Sequence, residues 1–139
     1  MQPLERNRLS ALGSIVDDRG QLVVIEGGSH VQFPIERVYC IIGKNGKDRG
    51  FHAHLRLRQM LICVSGTCRV VIDNGFERAE WILDRPDQGL LVGPMEWREM
   101  HDFSDAAVLM CLADAHHDEA DYIRDYNTFL RSVRDGAVA

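Results

Sequence analysis

Two histidines stand two residues apart in "RGFHAH", residues 49–54. In an extended segment alternate side chains share a face, so His52 and His54 project together while Phe51, Ala53 and Leu55 point the other way. A pair so placed can hold a metal ion, carry protons near neutral pH, or pack as two satisfied core groups. Gln59 follows His54 after four intervening residues and Gly66 follows Gln59 after six, while Gly46 precedes His52 by five. Tyr39 offers a phenol that can pass a proton. Arg49 offers a guanidinium fork that matches phosphate or enolate oxygens, though a lone arginine can also be surface charge.

These side chains need a rigid frame, and the centre of the chain reads as one. "QLVVIE", "RVYCII", "RQMLICV", "TCRVVI", "ERAEWIL", "GLLVG" and "AVLMCLA" are strand-like and closely spaced, so neighbours should pair antiparallel in a sandwich or barrel. Ser65-Gly66 predicts a tight hairpin, and Asp73-Asn74-Gly75 and "DRPDQG" predict further turns. The stretch "DEADYIRDYNTFLRSVRDG" carries Tyr122, Tyr126, Phe129, Leu130 and Val133 at helical steps, predicting a C-terminal helix that ends before Gly136. The expected fold is therefore all-β with one C-terminal α-helix.

At 139 residues the chain predicts one domain over 1–139, large enough to stand without disulfides. Cys40, Cys63, Cys68 and Cys111 form no CxxC and read as buried thiols. The net charge of −5 argues against a nucleic-acid binder. No apolar run approaches the roughly 20 residues of a membrane span, and the N-terminus lacks a secretory pattern, so a cytoplasmic location is expected.

The histidine, glutamine and glycine spacing resembles the first motif of the cupin superfamily, which implies a double-stranded β-helix, or jelly roll. Metal-binding cupins carry His, His and Glu there and a further histidine in a second motif. Here Gln59 replaces the carboxylate, and "GLLVGPMEWREMHDF" has Glu96, Trp97, Arg98 and Glu99 around the second-motif position, with His101 two residues late. His101 or Glu99 could still supply a ligand after a rearrangement, but the metal-free reading leads.

A narrower resemblance covers nearly the whole chain. "DDRGQLVVIE", "RVYCI", "RGFHAH" with Gln59, "LICVSG", "PMEW", "DFSDAAVLMCLA" and "DEADYIRDYNTFL" together resemble the dTDP-sugar 3,4-ketoisomerases. The resemblance implies a reaction with no metal and no cofactor, in which the ketone of a dTDP-linked 4-keto-6-deoxy sugar moves from C4 to C3 through an enediol. It implies His54 as the base with His52 and Tyr39 as partners, although the two histidines could exchange roles. Arg49 is a candidate for the diphosphate or for charge stabilisation. Trp97 is a candidate for stacking on thymine, whereas Trp81 reads as core, and Gln59 as an inward hydrogen-bonding group. The family departs from this chain at Leu55, where it commonly has lysine, and at His117, where it has tyrosine.

The resemblance also implies a homodimer that exchanges N-terminal strands. Arg19-Gly20 resembles the branch that gives the galacto-configured 3-keto product for 3-amino-3,6-dideoxy sugars, although "DDRG" also reads simply as a turn. A sugar-nucleotide 3,5-epimerase and a non-enzymatic ligand-binding cupin are the alternatives.

Overall fold

The computed structural model describes residues 2–44 and 46–138. Among the described residues twelve strands follow one another: β1 (Leu9–Ala11), β2 (Gly13–Asp17), β3 (Gly20–Val24), β4 (Arg37–Ile42), β5 (Arg49–His54), β6 (Gln59–Ser65), β7 (Cys68–Asp73), β8 (Arg78–Leu83), β9 (Gln88–Val92), β10 (Trp97–His101), β11 (Val108–Ala113) and β12 (Tyr122–Ile123). A short 3-10 turn, Glu119–Asp121, precedes β12, and helix α1 spans Tyr126–Val138.

The strands make two five-stranded antiparallel sheets, ordered β1-β9-β6-β11-β4 and β12-β5-β10-β7-β8, which face each other as a jelly roll. Alternation decides what lies between them. Leu61, Cys63, Leu90, Leu109 and Cys111 from the first sheet meet Cys68, Val70, Ile72 and Met100 from the second in the central core. The outer face of the first sheet buries Met60, Ile62 and Leu112 under Val31 and Phe33 of the segment after β3. On the outer face of the second, Ala53 and Trp97 lie beneath Phe129 of α1.

Several expectations change in detail. The helix begins at Tyr126, so Tyr122 belongs to a strand rather than to the helical stripe, and Gly136 lies inside the helix rather than after it. Cys40 is exposed, because β4 is an edge strand whose even positions face out; the other three cysteines are buried. Strand β10 was hidden by its charged residues. The hairpin β2–β3 is hydrogen-bonded to neither large sheet, and leaves Ile15, Val16 and Leu22 exposed at 61%, 73% and 55%.

Candidate active site

Strand β5 carries the histidines into the space between the sheets. Its pairing with β10 shifts register, with His52 opposite Arg98 but Gly50 opposite Glu99 and Arg49 opposite Met100. Gly50 (φ 91°) and Phe51 (φ 59°) hold this bulge in the left-handed region. Opposed residues point to the same side of a sheet, so the extra residue returns Arg49 to the face of His52, where strict alternation would set it opposite. Arg49 itself is exposed at the strand's start. Phe51 turns outward beside His101, with ring centroids 5.6 Å apart.

The rings of His52 and His54 meet edge to face at 4.9 Å. Tyr122 pairs with His54 across β12 and β5, and its ring lies 4.3 Å from His54 and 5.0 Å from His52. Arg124 stacks on Tyr122 at 4.1 Å, held by Glu119 through two hydrogen bonds of 2.7 and 3.0 Å. The buried His54 donates from Nδ1 to Asp121 Oδ2 at 3.2 Å. An ionised carboxylate only accepts, so this bond fixes the tautomer and leaves the Nε2 lone pair free. Asp121 is itself fixed, accepting the backbone N–H groups of Arg56 (2.9 Å) and Leu57 (3.2 Å).

Burial and then the Arg98 guanidinium lower the pKa of both rings, His52 to about 4 and His54 to about 2. The Asp121 carboxylate favours imidazolium, but desolvation and the positive charges of Arg98, Arg37 and Arg124 oppose it, and the net direction is downward. Both histidines are neutral at pH 7. The Nδ1 of His52 is buried without a hydrogen-bond partner among the described residues.

Behind the pair lies a polar chain. Arg98, completely buried, donates to Gln59 Oε1 at 2.5 Å, and Gln59 Nε2 donates to the Tyr39 hydroxyl at 2.8 Å. Guanidinium cannot accept, so Arg98 sets the amide's orientation, and Tyr39 keeps its own proton to give elsewhere. Burial pushes the Tyr39 phenol upward, keeping it protonated. The remaining Arg98 bonds run to the carbonyls of Gly93 (3.3 Å) and Glu96 (3.0 Å). A cavity of about 160 Å³ opens beside His54, with Arg37, Arg56, Asp121 and Tyr122 in its wall.

Among the described residues no metal-ligand set is assembled. Gln59 Oε1 is occupied by a guanidinium, and the two reserve ligands, Glu99 and His101, alternate with Arg98 on the outward side of β10. There they bond each other at 2.9 Å, with Asp48 3.2 Å from His101.

Of the residues marked in the sequence, the structure thus brings together His52, His54, Tyr39 and Gln59. It corrects Trp97, which is buried beneath α1 against Tyr126 and Phe129, with Nε1 bonded to Glu99; neither ring face is open for a base to stack on. Arg19 and Gly20 lie at the tip of the separate β2–β3 hairpin, where Arg19 bonds Asp17. Sequence reasoning missed Asp121, Tyr122, Arg37 and Arg98. Only Arg98 gave a signal, as an arginine where the second motif would place its ligand.

Fold and site define a jelly roll of the cupin type whose centre holds two neutral imidazoles side by side. The family described as "FdtA: WxcM-like, C-terminal" matches residues 5–134, and the chain belongs to it. It is 47% identical over 128 residues, 91% of this chain and 92% of the relative, to the TDP-4-oxo-6-deoxy-alpha-D-glucose-3,4-oxoisomerase of Aneurinibacillus thermoaerophilus. The TDP-quinovose 3,4-ketoisomerase WlaRB of Campylobacter jejuni superposes with a TM-score of 0.85 at 42% identity, covering 91% of this chain and 99% of that one. A mutant of the 3,4-ketoisomerase QdtA of Thermoanaerobacterium thermosaccharolyticum, in complex with TDP-4-keto-6-deoxyglucose, gives 0.90 at 36% identity over 95% and 97% of the two chains. The protein is an isomerase of this class, a sugar-nucleotide 3,4-ketoisomerase.

Proposed function

We propose that the protein converts TDP-4-keto-6-deoxy-D-glucose into the 3-keto isomer, with His54 as the base. The observation that carries this is the neutral, Asp121-oriented His54 at the cavity wall. The C4 carbonyl acidifies the C3 proton. His54 Nε2 removes it, the C–H electron pair forms the C3=C4 bond, and the carbonyl oxygen becomes an enediolate oxygen. A proton then returns at C4, and the proton lost by the C3 hydroxyl is delivered to the C4 oxygen, leaving the ketone at C3 and a hydroxyl at C4, so the isomerisation balances without an external oxidant. Tyr39, held protonated and accepting rather than donating in its bond with Gln59, and His52, whose buried Nδ1 has no partner among the described residues, are the groups that pass these protons.

The cavity formed by one chain is smaller than the roughly 300–1,000 Å³ of sites that enclose a ligand. A homodimer supplies the rest in this reading, with the β2–β3 hairpin of one subunit bringing Arg19 and Gly20 to the other's site. Arg49, on the histidine face at the rim, is then suited to the diphosphate. Glycine at position 20 leaves space for the sugar orientation that gives the galacto product, TDP-3-keto-6-deoxy-D-galactose.

Proton NMR of the substrate incubated with enzyme tests the reaction. The ketone should move to C3; inversion at C3 and C5 without migration would indicate an epimerase, and binding without turnover a sensor. The H3–H4 coupling of the 3-aminated product tests the stereochemistry, since a large diaxial value means the gluco configuration.

A further inference from the structure

The enediolate carries a full negative charge that must be met in the barrel, and four arginines have their charge near His54. Three are committed. Arg98 gives its N–H groups to Gln59, Gly93 and Glu96. Arg124 is clamped on Glu119. Arg56, with its side chain 78% exposed, lies 3.9 Å from Asp118 and 3.8 Å from Asp121.

Arg37 differs. It opens β4, two residues before Tyr39 on the same inward face, and its guanidinium lies 5.2 Å over the Tyr39 ring. It shares the cavity wall with His54, and its Nε is buried with no hydrogen-bond partner among the described residues. A buried, unbonded guanidinium N–H is costly to the folded protein and rare. Placed beside a base that creates an oxyanion, it is a donor waiting for one.

We infer that Arg37 is a catalytic residue of the ketoisomerase: its guanidinium receives the enediolate oxygens, with the buried Nε–H as one donor. The two oxygens on C3 and C4 are adjacent, and a guanidinium fork presents two parallel N–H groups at matching spacing. No bond is made or broken by Arg37; it meets the charge while His54 holds the proton taken from C3. This rests on the reaction proposed above.

The test compares wild type with Arg37→Gln and Arg37→Lys. For each, ketone migration gives kcat and KM, incubation in D2O gives exchange of the C3 hydrogen, calorimetry gives the Kd for TDP, and thermal melting reports folding. Arg37→Gln should lower kcat and C3 exchange together, by about 10²- to 10³-fold, with the TDP Kd within about twofold. Arg37→Lys, which keeps the charge but loses the fork, should retain part of the rate, and it serves as the folded comparison if Arg37→Gln melts early. Unchanged kcat with TDP binding weakened would make Arg37 a diphosphate anchor and overturn the inference, as would a wild-type-like rate in both variants. A wild-type protein that never moves the ketone overturns the reaction itself; an active wild type with normal Arg37 variants overturns only the role of Arg37.

Discussion

A base that takes a proton from carbon must be uncharged when substrate arrives, and His54, the proposed base, is held so by its surroundings. An ordinary imidazole would be half protonated near pH 6.5. The kcat/KM of this enzyme should therefore stay level from pH 8 to about pH 5; a decline with its midpoint near 6.5 in the pH–rate profile would contradict the assignment. The same depressed values tie stability to pH. Above about 6.5 both folded and unfolded histidines are neutral and nothing changes. As pH falls below that, the unfolded chain takes up protons that folded His52 and His54 refuse, so stability is lost toward pH 4, at up to about 1.4 kcal/mol per pH unit for each ring. Urea midpoints at pH 7 and pH 5 measure it, and His52→Asn should flatten the dependence by one ring's share. His54→Asn should cost about 10²- to 10⁴-fold in kcat with TDP binding kept. Asp121→Asn should lose part of that factor, because an amide can donate to Nδ1 and move the ring proton to Nε2, where the lone pair is needed. Rates and TDP calorimetry on both variants check these outcomes.

At the level of elements, the bulge in β5 sets which way Arg49 and His52 face. A Cβ on Gly50 would sit 3.0 Å from the Arg98 carbonyl oxygen and 3.2 Å from the Glu99 Cα, in a backbone conformation with φ 91°. Gly50→Ala should cost about 1–3 kcal/mol in chemical denaturation and both lower kcat and raise KM, since the same bulge aims His52 and Arg49. This bulge marks the limit of what the sequence discloses. The strands β4, β6, β7 and β11 were legible because their apolar residues exceed any helical pattern in density and alternation. Strand β10 was not, since its inward Arg98 and outward Glu99 are both charged and the apolar signal vanishes where the site needs polarity. Tyr122 was misplaced because it continues the spacing of Tyr126 and Phe129 by coincidence. The pairing of Asp121 with His54 joins residues 67 positions apart, and no local pattern announces such a contact.

For the molecule as a whole, the β2–β3 hairpin and the outer face of β4 leave Ile15, Val16, Leu22, Val38 and Ile42 uncovered in a single chain. Light scattering at micromolar concentration should give a dimer, and Leu22→Asp should shift it toward monomer with loss of activity; a fully active monomer would sink this expectation. A hairpin bonded to neither barrel sheet has one more result, which belongs to genetics. If each site combines the barrel of one subunit with the hairpin tip of its partner, then a barrel defect (His54→Asn) and a hairpin defect (a bulky residue at Gly20) are lesions in different halves of a shared unit. Two inactive proteins, unfolded together and refolded as a mixture, would form mixed dimers in which one site is wholly broken and the other wholly intact. Random pairing makes half the dimers mixed, so about a quarter of wild-type activity should reappear from two dead preparations. Sites confined to one chain would recover nothing.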